Sequence, residues 1–411
     1  MPLDRFIPAL AAEIEQIDSA KTAKANERIV TDMLRANGQR GPRFILKGYD
    51  NREFLRMNSN SYLGMSAREV VTKAEEATVQ KFGAGPGAVR FISGTYDVHV
   101  RLEKRLAQFH GREDCMITSA AYTSVLGVIV SLTTSETIIL SDELNHNCII
   151  NAMKLARPKD KQVYRHLDMD DLEEQIIAAE GQCDSLLLIT DGVFSMRGVY
   201  APLDRISAIV AKHNHLFPRG IVLIVDDSHG VGALGETGRG TEELCKAKGV
   251  DILVATLGKA FGVNGGYIVS RKEVIRYLRE KNPLYIYTNP ITQGEASAAL
   301  ASIDFADSPA GREVMKHLHH LVSLFEKGLV DMGYETLPSP HPVTPLMVRD
   351  TAKTTRLVQY LFDNNILATG LNYPVVPKGD ELIRFQVNGD HTESDLKYVL
   401  DVLGKFRNEQ G

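Results

Sequence analysis

Lys259 stands in Thr256-Leu-Gly-Lys259-Ala-Phe-Gly-Val-Asn-Gly265-Gly266, directly after an apolar run that begins at Ile252. A lysine at the end of a buried strand is unusual, because an ammonium group is costly to bury unless it is paired or consumed chemically. The flanking glycines let backbone approach a ligand closely, and a desolvated lysine amine is the nucleophile that forms a Schiff base with a carbonyl-bearing cofactor. A second cluster, Val225-Asp226-Asp227-Ser228-His229-Gly230, follows another apolar run, Ile221 to Val225. A pyridine aldehyde working as an electron sink needs an acid beside its ring nitrogen. Asp226, the first residue after the run, suits that task, with Asp227 facing elsewhere. Asn145-His146 follows Thr137 to Leu140, and an imidazole there can stack on a flat ring or donate to it. Ser195, in Asp191-Gly-Val-Phe-Ser195-Met, lies beyond a further buried run and can hydrogen-bond a cofactor oxygen.

Taken singly, each group has a plainer reading: a surface lysine in a glycine-rich loop, carboxylates capping the next turn, a satisfied buried histidine, an Asp-Gly turn. Their joint presence, each at the end of an apolar run, favours chemistry. Other patterns do not hold up. Gly83-Ala-Gly85-Pro-Gly-Ala88 fits a loose dinucleotide-binding spacing but follows a helical stretch and is interrupted by Pro86. His317, His319 and His320 lack the Cys or carboxylate neighbours of a metal site, so no metal is expected. No G-x-S-x-G element marks a serine hydrolase.

The apolar runs that end at Asp191, Asp226 and Thr256 suit strands buried on both faces of a parallel sheet. They alternate with helical stretches such as 203–213, which argues for βαβ units, and in such sheets ligands bind beyond the carboxyl ends of the strands. The spacing predicts a helical arm over 1–35, one or two short strands in 43–57, and helices at 67–82 and 97–109. After about residue 300, helices at 309–332, 351–364 and 392–406 surround short strands at 344–348 and 382–387, with a capping box at Thr392 and Asp395. Three segments are expected: an N-terminal arm with short strands over 1–58, a large domain over 59–300, and a smaller α+β domain over 301–411. The 411 residues exceed the usual size of a single core, in keeping with that division. With 44% hydrophobic residues, 24% charged residues and a net charge of −5, the composition is that of a globular protein and gives no reason to propose nucleic acid as a partner. The four cysteines form no C-x-x-C pair and are expected to be reduced. The opening MPLDRFIPALAAEIEQ lacks the basic and apolar regions of a secretory signal, and no apolar run approaches the ~20 residues of a membrane span. A cytoplasmic protein, or a matrix protein in a eukaryote, is expected.

Together these segments resemble the α-oxoamine synthases, fold-type I enzymes dependent on pyridoxal 5'-phosphate (PLP). The likeness runs in one continuous order over about residues 25–406. It is carried by Ala88-Val-Arg-Phe-Ile-Ser-Gly-Thr95, Asp191 to Met196, Asp226-Asp-Ser-His229, Thr256-Leu-Gly-Lys259 and Tyr373-Pro-Val-Val-Pro-Lys-Gly379. The resemblance implies an α/β fold with a mainly parallel sheet in the large domain, and an acyltransferase that joins an amino acid to an acyl-CoA. It is strongest towards the members that acetylate glycine. It also implies roles: Lys259 as Schiff-base lysine and base, Asp226 at the pyridinium nitrogen, His146 stacked on the ring, and His229 and Ser195 around the phenolic oxygen. Thr256 and the backbone amides of Ala121 and Tyr122 would bind phosphate, with Thr288 and Asn289 contributed across a homodimer interface. Asn60, in Ser59-Asn-Ser-Tyr-Leu-Gly64, and Arg384, in Leu382-Ile-Arg-Phe, would hold the amino-acid carboxylate, Arg384 by two parallel hydrogen bonds. Val89, β-branched and stiff, would favour glycine over larger amino acids if it lines the pocket. The chain departs from the family at Asn145-His-Asn-Cys148, Ser195-Met-Arg-Gly198, Ala120-Ala-Tyr-Thr-Ser124 and Tyr287-Thr-Asn-Pro-Ile-Thr292. The alternatives are a longer-chain synthase of the 8-amino-7-oxononanoate or sphingoid-base type, and a PLP aminotransferase or lyase that does not use CoA.

Overall fold

The structure, a computed structural model, describes residues 2–19, 23, 27–373 and 375–410. Its centre is a seven-stranded sheet in the spatial order Asp114–Thr118, Gly266–Ser270, Ile252–Thr256, Ile221–Asp226, Ser185–Asp191, Thr137–Asp142 and Asp160–Tyr164. Gly266–Ser270 is antiparallel to both neighbours, and the remaining pairs are parallel. Successive side chains of a strand point to opposite faces, so Leu186 and Leu188 enter one apolar cluster while Leu187 and Ile189 enter the other. That two-sided burial accounts for the uninterrupted apolar runs in the sequence.

The register gathers chemistry at one edge. Asp226 lies opposite Asp191 on one side and Val254 on the other. Gly266 lies opposite both Thr256 and Thr118. A Cβ on Gly266 would come within 2.2 Å of the Ala121 nitrogen, so the missing side chain lets this strand abut the start of the helix Ala121–Leu132.

The helix Gln293–Ala306 packs on Glu69–Phe82 and Asp97–His110. Beyond it comes the helix Pro309–Asp331, followed by a second, smaller sheet. Four antiparallel strands lie there in the order Glu335–Thr336, Val343–Met347, Leu382–Gln386 and Thr369–Leu371. The expected capping box is present: the Asp395 amide donates to Thr392 Oγ1 at 3.2 Å, and the Thr392 amide to Asp395 Oδ2 at 2.8 Å.

The N-terminal segment differs from expectation. Among the described residues the arm holds a 3-10 turn at Pro2–Arg5 and an α-helix at Ile7–Ser19, and Val30–Leu34 is a strand paired with Arg43–Leu46. Phe54–Arg56 continues this sheet and pairs in parallel with Ile366–Leu367, so the strands of the first segment share a sheet with the C-terminal unit. A partner strand decided between helix and strand at Val30, which local periodicity does not see. Residues 1, 20–22 and 24–26 of the expected arm, and Pro374 in the Tyr373–Gly379 phrase, lie outside the described residues. Among the described residues no helix is long and apolar enough to cross a membrane.

Candidate active site

At the carboxyl edge of the sheet lies a cavity of about 230 Å³ whose wall includes Ala121, Tyr122, His146 and Ser195 on one side. Asp226, His229, Thr256 and Lys259 are also part of that wall, so eight residues singled out from widely spaced motifs meet here.

Lys259 is carried by a loop stitched to itself. The Leu257 amide donates to the Gly265 carbonyl at 2.9 Å, the Val263 amide to the Leu257 carbonyl at 3.0 Å, and Ser302 Oγ to the Phe261 carbonyl at 2.8 Å. The Lys259 amine makes no ion pair or hydrogen bond among the described residues. Burial lowers its pKa, opposed by the nearby carboxylates of Asp226 and Asp191. A buried amine with acids nearby and no fixed partner is suited to covalent work.

Asp226 Oδ1 accepts from Ser228 Oγ at 2.5 Å and from the Ser228 amide at 3.1 Å, and Cys148 Sγ donates to Oδ2 at 3.6 Å. Asp227 does face elsewhere: it accepts from the Thr241 amide at 2.7 Å and Thr241 Oγ1 at 2.6 Å. Burial pushes its pKa up to about 7. Asp191 is pushed well above the usual carboxylate range by burial and then by the charge of Asp226.

Asn145 cross-braces the neighbouring loop. Its amide group donates to Ser141 Oγ and to the Ile189 carbonyl, both at 2.8 Å, while its oxygen accepts from the Asp191 amide at 2.8 Å. The backbone of His146 donates to Asp191 Oδ2 at 2.8 Å. The His146 ring accepts the Cys148 amide at Nδ1, at 3.2 Å, which leaves its ring hydrogen on Nε2.

His229 is buried; Tyr62 lies behind it with its hydroxyl 2.7 Å from Nδ1. Burial first, then Lys259 and Arg384, hold the His229 pKa far below the ordinary value, so the ring is neutral. Beside this pair, Arg384 Nη2 donates to Asn60 Oδ1 at 3.3 Å, and its Nε is buried without a partner. An unpaired guanidinium N–H next to the cavity fits a carboxylate ligand.

The helix Ala121–Leu132 begins at the cavity, and its N-cap residue, Ala120, offers no side-chain acceptor to the first amides. A helix start of that kind attracts anions such as phosphate. Thr256 Oγ1, on the same wall, accepts from the Gly258 amide at 3.0 Å and donates to the Gly265 carbonyl at 3.1 Å. An amine, an acid, an imidazole and an uncapped helix start thus line one cavity, a set of groups whose chemistry fits a phosphorylated pyridine aldehyde.

Five expected residues are not part of this cavity's wall: Asn60 and Arg384, which pair with each other, and Val89, Thr288 and Asn289. Val89 is half-buried and precedes a π-helical turn, Arg90–Gly94. Thr288 is half-buried and Asn289 exposed, beyond the short helix Pro283–Ile286. Sequence reasoning gave no role to Tyr62, Cys148, Ser228 or His341. The first three sit inside phrases quoted for other residues, and His341 carries no local signal. The histidine cluster is dispersed into single bonds: His317 to the His391 carbonyl, His319 to the Ala233 carbonyl and His320 to Glu393.

The family model "aminotransferase class I and II" matches residues 52–403. An 8-amino-7-oxononanoate synthase of Thermosipho melanesiensis is 38% identical over 88% of this chain and 90% of its own length. Another, of Bacillus velezensis, is 34% identical over 96% of each chain. Among solved structures, Sphingomonas wittichii serine palmitoyltransferase superposes with a TM-score of 0.88 at 26% identity, over 99% of this chain and 98% of its own. With this site at the edge of this sheet, the chain belongs to the class I and II aminotransferase family and, within it, to the α-oxoamine synthases, PLP-dependent acyltransferases of fold type I.

Proposed function

We propose that this chain condenses glycine with a short acyl-CoA, acetyl-CoA first, in the manner of a glycine C-acetyltransferase. The Cα–H bond of the amino acid and the thioester C–S bond break, a Cα–C bond forms, and CoA leaves as the thiol. The product is a 2-amino-3-oxo acid, or the aminoketone left after loss of carbon dioxide. The observation that carries the reading is the convergence of Lys259, Asp226 and His229 on one cavity with the Asn60–Arg384 pair beside it.

PLP, when bound, supplies an aldehyde that joins the amino-acid nitrogen and a ring that withdraws electrons from Cα. Lys259 would hold that aldehyde, and its Nζ is the base that would take the Cα proton. Asp226, fixed by Ser228, keeps a proton on the ring nitrogen. His146 would stack on the ring, and Ser195 and His229 would flank its phenolic oxygen. Thr256 and the amides of Ala121 and Tyr122 hold the phosphate, joined by Thr288 and Asn289 of a second copy. Arg384 and Asn60 hold the substrate carboxylate, and His229 donates to the thioester carbonyl. Val89, near the same shared boundary, limits the side chain to that of glycine. The location proposed is the cytoplasm.

A longer acyl chain is the second reading, favoured by the relatives named 8-amino-7-oxononanoate synthase. The test is release of free thiol from a panel of acyl-CoAs with glycine, alanine and serine. Turnover with a 2-oxo acid and no CoA ester would replace both readings by a transaminase. Lys259→Ala should remove the near-visible absorbance of the bound cofactor and all turnover while leaving the circular dichroism intact. Arg384→Ala should raise the amino-acid KM about 10- to 100-fold, as expected for loss of charge-assisted bonds of ~1.5–3 kcal/mol. Unchanged saturation by glycine would remove it from the carboxylate site.

A further inference from the structure

The loop from Ser59 to Leu63 sends two side chains toward the site: Asn60 meets Arg384, and Tyr62 meets His229. Tyr62 is wholly buried, and its hydroxyl lies 2.7 Å from His229 Nδ1 and 3.4 Å from Asn60 Oδ1. A phenol has one hydrogen to give. At 3.4 Å a hydroxyl bond is at the limit of its range, and Asn60 Oδ1 already accepts from Arg384, whereas 2.7 Å to the ring nitrogen is a bond of full strength. The hydrogen therefore goes to Nδ1. Burial raises the phenol pKa, so Tyr62 remains a donor. The groups acting on His229 are Lys259, Arg384, His341 and His146, and with burial all of them favour the neutral ring. A neutral imidazole carries one N–H; with Nδ1 accepting, it lies on Nε2. His229 forms part of the cavity wall and Tyr62 stands behind it.

We propose that Tyr62 is a positioning residue for the condensation. Its hydroxyl fixes His229 as the tautomer protonated at Nε2, which enters the cavity as the hydrogen-bond donor for an acyl carbonyl. The inference rests on the donor role given to His229 above. Tyr62 also stands next to the Asn60–Arg384 pair, its hydroxyl 3.4 Å from Asn60 Oδ1. His341 supports the arrangement from the other side. It accepts the Val343 amide at Nδ1 (3.1 Å) and gives its Nε2 hydrogen to the His229 carbonyl at 2.9 Å, fixing the main chain as Tyr62 fixes the ring.

The test is a two-bond ¹H–¹⁵N spectrum of PLP-loaded protein labelled at histidine nitrogen, with the His229 signal identified by its loss in His229→Gln. The expected result is a neutral His229 protonated at Nε2 and unprotonated at Nδ1. In Tyr62→Phe the ring should shift toward the Nδ1-protonated form. Turnover should then fall roughly 10- to 100-fold, up to the lower limit of the ~100- to 10,000-fold that a positioned acid or base contributes, because the ring is misoriented and not removed, with the amino-acid KM changed by less than about threefold. A wild-type ring protonated at Nδ1 overturns the proposal whether or not Tyr62→Phe folds, and so does an unchanged ring in that variant. A shifted ring with unchanged turnover overturns the link to catalysis. Failure of the acyl-CoA reading shows separately, as absence of thiol release by the wild-type enzyme.

Discussion

Cys148 occupies a point between two groups of the site: its sulfur lies 2.9 Å from His146 Nδ1 and donates to Asp226 Oδ2 at 3.6 Å. Burial and the nearby carboxylates of Asp226 and Asp191 push the thiol pKa up, so it stays protonated and serves as a donor, not as a nucleophile. Cys148→Ala leaves one oxygen of Asp226 without that donor. A bond of ~1 kcal/mol corresponds to about fivefold weaker cofactor binding, to be read by fluorescence titration. Cys148→Ser, which keeps a donor, should stay within about twofold of wild type. Equal affinities in all three proteins would show that the thiol does not act on Asp226. At this scale the sequence was informative where a residue ends a buried run, as Asp226 and Thr256 do. It was silent about His341, whose place behind His229 depends on a strand more than a hundred residues away in the chain.

Asp227 shows how an element is held at a cost. It accepts two bonds from Thr241 at the start of the short helix Thr241–Leu244, and a Cβ on Gly192, Gly230 or Gly240 would strike its carboxylate. Its pKa is about 7 folded, against 3.8 for the free side chain. Between those values the folded chain binds more protons at this site than the unfolded one. Its contribution to stability is therefore complete below pH ~4 and is lost as pH rises through about 7. Asp227→Asn cannot ionise, so its melting temperature relative to wild type should rise steadily across that interval. A constant difference would mean that Asp227 is ionised throughout. Elements of this kind were legible from local chemistry: the 203–213 helix, the Thr392–Asp395 box and the paired carboxylates after a buried strand. Val30–Leu34 was not, because its conformation is set by Arg43–Leu46 across a ladder and not by its own periodicity.

For the whole molecule, Thr288 and Asn289 stand away from the cavity of their own chain, while Phe91, Ile92 and Tyr287 are 67%, 67% and 77% exposed. If two copies share each site, Lys259→Ala chains mixed with Thr288→Ala/Asn289→Ala chains should regain activity on re-association. Random pairing of two copies sets a ceiling of about a quarter of the wild-type sites. Two inert proteins that stay inert after mixing would place Thr288 and Asn289 outside the site. The change in pattern near residue 300, between the helices Gln293–Ala306 and Pro309–Asp331, was readable. The union of the first strands with the last unit was not, since Phe54–Arg56 meets Ile366–Leu367 only in space. That parallel pairing has a consequence for how the chain is made. The early strands leave the ribosome roughly 310 residues before their partner, a wait of about 15–60 s at ~5–20 residues per second. Throughout that interval the sheet edge is unfilled, so nascent chains are most open to chaperone capture or mispairing after the large unit has emerged and before translation ends.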